Sequence, residues 1–247
     1  MKCILYDFRR AITGRWFLAA LLASAAALYL SIGRDSNMLM GVLQDWEFYV
    51  DMDFPITLSR LLEQAMTGDF GVMTLPALSA LPFAAQPLTE LKCGALRPAI
   101  FRTGRNGWII GKAAACLLGG MLLHAAAALL LTLALQGVAL VMIGQTIPMG
   151  DPSGLGMLLL RRMLCGGVWA GVGCIIALLT ETTSAAYLAP LCLCYAMVMI
   201  GTRFFPEVVL LNPADWLTGL TWPLALGIAI IAVMLMLILR REVARHA

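Results

Sequence analysis

Long apolar stretches alternate along this chain with shorter polar segments. The apolar stretches are continuous, without the strict alternation of a half-buried strand. Six of them, Trp16–Gly33, Gly71–Leu88, Ala113–Leu135, Met163–Thr180, Ala185–Gly201 and Pro223–Leu239, approach the roughly 20 residues that a helix needs to cross a ~30 Å hydrocarbon core. In lipid every backbone N–H and C=O must find a partner within the protein, so unbroken apolar runs of this kind predict helices and exclude a barrel. The expected fold is an all-α integral membrane protein: one transmembrane domain over residues 1–247, built as a six-helix bundle.

The segments between the runs have characters of their own. Residues 1–15 place Ile4, Leu5, Phe8 and Ile12 at helical spacing, with Asp7, Arg9 and Arg10 elsewhere on the wheel. This pattern predicts an amphipathic helix on the membrane surface, serving as an anchor or as an elbow into the first span. Residues 34–70 form the longest polar stretch, with Asp45, Glu47, Asp51, Asp53 and the aromatics Trp46, Phe48 and Tyr49, then an amphipathic piece from Pro55 to Met66. Hard-cation binding by these acids would need 6–8 oxygens from a shaped loop. With no EF-hand pattern, a solvated outer cap is the simpler reading. The second run contains Pro76 and Pro82 and ends at Pro87, which predicts a kinked or locally unwound helix, as a hinge or as a static packing feature. From Phe204 to Thr221, short helices are expected to dip into the interface, with Trp216 and Trp222 at headgroup depth.

Charge sets the orientation. With both ends inside, the inner segments carry twelve of the 17 Lys and Arg: Lys2, Arg9, Arg10 and Arg15; Lys92, Arg97, Arg102, Arg105 and Lys112; Arg240, Arg241 and Arg245. The outer segments keep Arg34, Arg60, Arg161, Arg162 and Arg203. Such a bias predicts cytoplasmic termini and an extracellular 34–70 segment. At 61% hydrophobic and 13% charged residues, the composition lies outside the range of soluble domains, and the net charge of +3 reports topology rather than affinity for nucleic acid. The first run follows fifteen residues that include Asp7 and leads to no small-residue cleavage site before Arg34, so it is expected to be retained. Of the cysteines, Cys116, Cys165, Cys174, Cys192 and Cys194 fall inside runs, while Cys3 and Cys93 lie on the inner side. They read as small buried hydrophobes rather than a disulfide framework or metal site.

Chemistry concentrates in the inner segment 89–112. Thr89 is placed to cap a short helix holding Glu90 and Leu91, and Gly94 to end it. Arg97, Arg102 and Arg105 follow, interleaved with Leu96, Ile100 and Phe101. A solvated positive loop needs the cations but not the apolar residues, so the pattern predicts a docking surface. Gly111-Lys112 mimics the end of a phosphate-binding loop, but Asn106 stands where the first glycine belongs and Ala113 where Ser or Thr belongs. His124, deep in the third run, reads as a structural hydrogen bond between helices, with no carboxylate in a span to complete a proton relay. Gly119, Gly120, Gly167 and Gly171 are candidates for close helix contact. Intramembrane catalysis lacks its parts, since His124 and His246 are the two histidines, no HExxH occurs, and Asp151-Pro-Ser-Gly154 lacks the glycine of a rhomboid-type serine motif.

This arrangement resembles the membrane subunit of a type-2 ABC transporter, the bacterial exporter permease family. The resemblance extends over the whole chain as six spans, a basic surface helix and a large outer segment. It is sharpest at Glu90, Gly94, Arg102, Gly104, Arg105 and Lys112, which are similar to the acid, glycine, Arg-x-Gly and lysine pattern of permeases from Gram-positive bacteria, and at Asn212-Pro-Ala-Asp-Trp216 before the last span. The resemblance implies a non-enzymatic, multi-pass subunit of the bacterial plasma membrane that pairs with a second permease copy or a sibling. It would dock a separately encoded ABC ATPase dimer through Glu90, Lys92, Arg97, Arg102, Arg105 and Glu181. ATP and Mg²⁺ would be bound by that partner, and the cargo would be an amphipathic peptide, drug or lipid-like molecule. A secondary transporter, which would normally show charges or inverted repeats at midplane, and a structural membrane subunit are the alternatives.

Overall fold

The computed structural model describes residues 9, 12–32, 57–213, 215–219 and 221–246, which are mostly helical, with no strand among them. Most of the surface helix expected over 1–15, and the acids Asp45, Glu47, Asp51 and Asp53, lie outside the described residues. The elements are α1 (Arg15–Ser31), α2 (Leu58–Thr67), α3 (Asp69–Ala80), α4 (Gln86–Lys92), α5 (Leu96–Thr103), α6 (Arg105–Ile143), α7 (Leu155–Thr180), α8 (Ala185–Phe204), a 3-10 turn (Val209–Leu211), α9 (Trp216–Gly219) and α10 (Thr221–His246). Four of these, α6, α7, α8 and α10, are long and apolar enough to cross a membrane. The architecture is consistent with an all-α, multi-pass membrane protein.

Six full-length spans are not formed. The first run folds as a 17-residue helix. The second divides, because Pro82 has no N–H to continue the ladder of α3, so residues 81–85 form turns between a 12-residue helix and a 7-residue one. Pro76, by contrast, is accommodated within α3. The third run is longer than its apolar stretch: α6 has 39 residues, about 58 Å of helix, and begins at Arg105 rather than Ala113. Similarly, α7 begins at Leu155 and takes in Arg161 and Arg162, two cations expected in an outer segment.

The axis of the bundle is α7. In its most apolar stretch 67% of the residues are buried, against 17–28% for the other three long helices, and it packs against α6, α10, α8 and α3. Small residues at three of its crossings allow this. Gly166 meets Gly120 of α6, Gly171 meets Ile231 of α10, and Gly173 meets Ala186 and Pro190 of α8. Where α6 crosses, a Cβ on Gly120 would stand 2.5 Å from the Gly166 carbonyl oxygen and 2.7 Å from the Ala170 Cβ. At the same crossing the Cys116 thiol donates to the Ala170 carbonyl at 3.3 Å. Gly119 faces open space.

Polar anchors fix one end of the bundle. The amphipathic piece predicted from Pro55 to Met66 forms α2, which buries Leu58, Leu61, Leu62, Ala65 and Met66. Its first N–H groups, on Leu58 and Ser59, donate to the carbonyls of Pro148 and Met149 at 2.9 and 3.0 Å. The Gln136 side chain of α6 zips onto the same connection, donating to the Ile147 carbonyl and accepting from its N–H. Arg162 reaches across the break between α2 and α3 and donates to the carbonyls of Met66 at 2.6 Å and Gly71 at 3.1 Å. Arg161 caps the short α9 through the Leu217 and Thr218 carbonyls and binds the Thr221 hydroxyl at the start of α10. Trp216, expected at headgroup depth, is buried within the protein and stacks on Trp169, the fifteenth residue of α7, at 5.8 Å. Trp222 is exposed.

Neighbouring glycines on α6 provide a controlled test of the crossing. Gly120→Ala is expected to destabilise the detergent-purified protein by about 1–3 kcal/mol through overpacking, whereas Gly119→Ala should leave its melting temperature unchanged or slightly raised. Equal effects at the two positions would contradict the backbone contact.

Candidate functional site

The inner segment 89–112 is structured throughout. Pro87 occupies the first turn of α4, where its missing N–H costs nothing. Gly94, at φ 70°, closes the helix with the Ala95 N–H on the Glu90 carbonyl at 3.1 Å and its own N–H on the Leu91 carbonyl at 3.3 Å. Thr89, expected to cap α4 at its start, lies within it. Its hydroxyl donates back to the Ala85 carbonyl at 2.9 Å, since the helix begins four residues earlier than its sequence signal, with Ala85 at the cap position. The next turn forms α5, and Gly104, at φ 73°, separates it from α6.

Two of the segment's charged residues face inward and neutralise each other. The Lys112 ammonium, 2% exposed, donates to Glu90 Oε1 at 2.7 Å. Gln86 Nε2 reaches the same oxygen, and the Trp108 indole N–H donates to Oε2, both at 3.3 Å. The aromatic rings of Phe83 and Trp108 lie 5.5 and 6.0 Å from the ammonium, positions that favour a cation. Leu88, Leu91 and Leu96 pack around this knot. The effect is mechanical: α4, and α5 behind it, are tied to the first turns of α6.

The remaining residues of the predicted surface are exposed, and the fold brings several of them together. Lys92 donates to the backbone carbonyl of Glu181, which sits at φ 55° where α7 turns into α8. Arg105 donates to the Arg240 carbonyl of α10 at 3.0 Å. Lys92, Glu181, Arg105 and Arg240 therefore share one end of the bundle. Arg97 and Arg102 stand exposed on α5, in no ion pair with the described residues. Between them projects Phe101, 96% exposed. At the same end Glu242 is buried and paired with Arg245 at 3.1 Å, so it takes little from the positive surface.

Sequence reasoning named Glu90 and Lys112 separately but missed their pairing. A signal existed: Lys112 sits four residues after Trp108 and four before Cys116, on the buried face of α6. The exposure of Phe101 had no such signal, because α5 is too short to declare which face is covered. His124 forms the expected contact between helices. Ser79 donates to the Leu75 carbonyl at 2.5 Å, and therefore accepts from His124 Nε2–H at 2.7 Å. Among the described residues no group of three or more His, Cys, Asp or Glu is placed to hold a metal ion.

The knot predicts a strong thermodynamic coupling. Glu90→Gln or Lys112→Met alone leaves one buried charge unmatched, and each is expected to cost about 3–5 kcal/mol. Combining them should recover much of that loss, read as melting temperature in detergent across the double-mutant cycle; strictly additive losses would show that the pair does not act as a unit. No protein-family model matches this sequence, and no curated protein matches it, so the functional reading rests on the site.

Proposed function

We propose that this chain is the permease subunit of an ATP-driven exporter, and that α5 with its neighbours is the docking surface for a separate ABC ATPase. The observation that carries the reading is Phe101, an almost fully exposed aromatic on an eight-residue helix, flanked by Arg97 and Arg102. Aromatic and Arg side chains dominate the energetic centres of protein interfaces, and an anchor of this kind has little use in a solvated loop. Its mount supports a coupling role. A push on α5 would pass through the Glu90–Lys112 knot into α6, and a push on the Glu181 turn into α7, the axis of the bundle. ATP with Mg²⁺, bound by the partner, would supply the differential affinity that shifts such a bundle between two access states.

In this reading α1 and the broken pair α3 and α4 complete six crossings, and both termini face the cytoplasm of a bacterial cell. A second copy, or a sibling permease, encloses the pathway. The scarcity of charge on the long helices suits an amphipathic cargo better than a small ion.

Purification of the tagged chain from its native membrane in mild detergent, followed by identification of bound subunits, tests the proposal. A stoichiometric ABC ATPase is expected, with recovery reduced about tenfold or more by Phe101→Ala or by Arg97→Glu with Arg102→Glu, at unchanged melting temperature. A monodisperse preparation without an ATPase, from a membrane in which ABC ATPases are expressed, would sink it.

A further inference from the structure

Buried ionic groups in this bundle are matched by opposite charge, Lys112 by Glu90 and Glu242 by Arg245. Arg162 departs from that pattern. It is 1% exposed, two of its nitrogens donate to the neutral carbonyls of Met66 and Gly71, and its Nε–H has no acceptor. No carboxylate among the described residues lies within ion-pair distance of it. Holding the break between α2 and α3 requires hydrogen-bond donors but no charge, and a glutamine amide would carry two. Arg161, one residue earlier, also binds neutral acceptors but is only partly buried, so solvent can screen its charge.

Position makes the unmatched charge consequential. Arg162 is the eighth of the 26 residues of α7, a helix long and apolar enough to cross a membrane. A cation buried in such a helix is expensive and normally finds a counter-charge. Two more buried polar atoms without partners, His124 Nδ1 and Ser24 Oγ, belong to the same interior. The His124 ring rests against Gly166, one turn along α7 from Arg162. Ser24 lies one turn beyond Ala20, which packs with Leu123. Because His124 Nε2–H is committed to Ser79, Nδ1 is left as an acceptor. Arg162 Nε–H is thus an unused donor and His124 Nδ1 an unused acceptor, in an interior where Met66, Val72 and Trp169 belong to one apolar cluster.

We propose that Arg162 is the recognition residue of an intramembrane oxyanion site, for a carboxylate or phosphate group, with His124, packed on α7 one turn away, as its polar neighbour. Guanidinium is the cation whose fork of donors matches those two anions. The site goes beyond the docking surface on α5 and does not require an ATPase, so either idea can fail alone.

Photolabelling of the full-length protein in maltoside micelles, with dodecyl phosphate carrying a diazirine in its chain, tests this. Saturable labelling is expected on α7 and the facing parts of α1 and α3, competed by unlabelled dodecyl phosphate or laurate but not by equal dodecanol. Arg162→Gln should reduce labelling at least tenfold, and Arg162→Lys by less than about threefold. Competition by inorganic phosphate as well would identify a free oxyanion as sufficient, and its failure to compete would identify an amphiphile headgroup; both support the site. Should Arg162→Gln fail to fold, mapping and competition on the wild-type protein decide the matter. Labels confined to α5 and the ends of α6 and α10, competition by dodecanol, or undiminished labelling of folded Arg162→Gln would overturn the proposal.

Discussion

Backbone contact between α6 and α7 at Gly120 and Gly166 is the constraint from which the rest of the bundle is arranged. Inside a membrane there is no water to expel from between helices, so association relies on close packing, and close packing there depends on small residues. Once α6 and α7 meet at that point, α8 crosses two turns further along the same face at Gly173, and α10 packs on another side at Gly171. The helix in the middle is therefore the one with the smallest side chains at its crossings, rather than the one with the greatest hydropathy, which is α10.

A second constraint is what the structure does with charge that it cannot leave in water. At the basic end, Glu90 and Lys112 cancel each other in a knot with two aromatic rings, and the cations that remain outside are free to define a surface. At the other end, Arg161 and Arg162 spend their donors on backbone carbonyls that a chain break or a short helix leaves open. Carbonyls at such breaks must be satisfied, and arginine can serve several at once. The two ends thus use charge differently: one ties elements together by cancelling it, the other uses the geometry of guanidinium, with no carboxylate of the described residues in an ion pair with it.

How much of this was legible in the sequence varies with how far apart the interacting residues lie. The class of fold was written in the apolar runs, and α2 in its amphipathic spacing, because both depend on residues within a few turns of one another. Trp216 was misplaced because tryptophan suits an interface and a core equally, and its choice depended on Trp169, which lies 47 positions away. Arg162 was read as a topology marker for the same reason, since the Met66 and Gly71 carbonyls that hold it are more than 90 residues distant. The site was half legible: Arg97 and Arg102 are exposed on their short helix, while Glu90 and Lys112, counted with them, turned inward.

By itself, then, the sequence determined that the chain is helical with runs apolar enough to cross a membrane, that its cations gather at particular junctions, and that glycines stand where helices can touch. Those properties are sums over local segments, and hydropathy and periodicity are sufficient to compute them. The tertiary structure alone decided which helix would be central, which charges would cancel and which arginine would be buried away from any carboxylate of the described residues. Each of those outcomes depends on a partner remote in the chain, whose position exists only after the helices have packed.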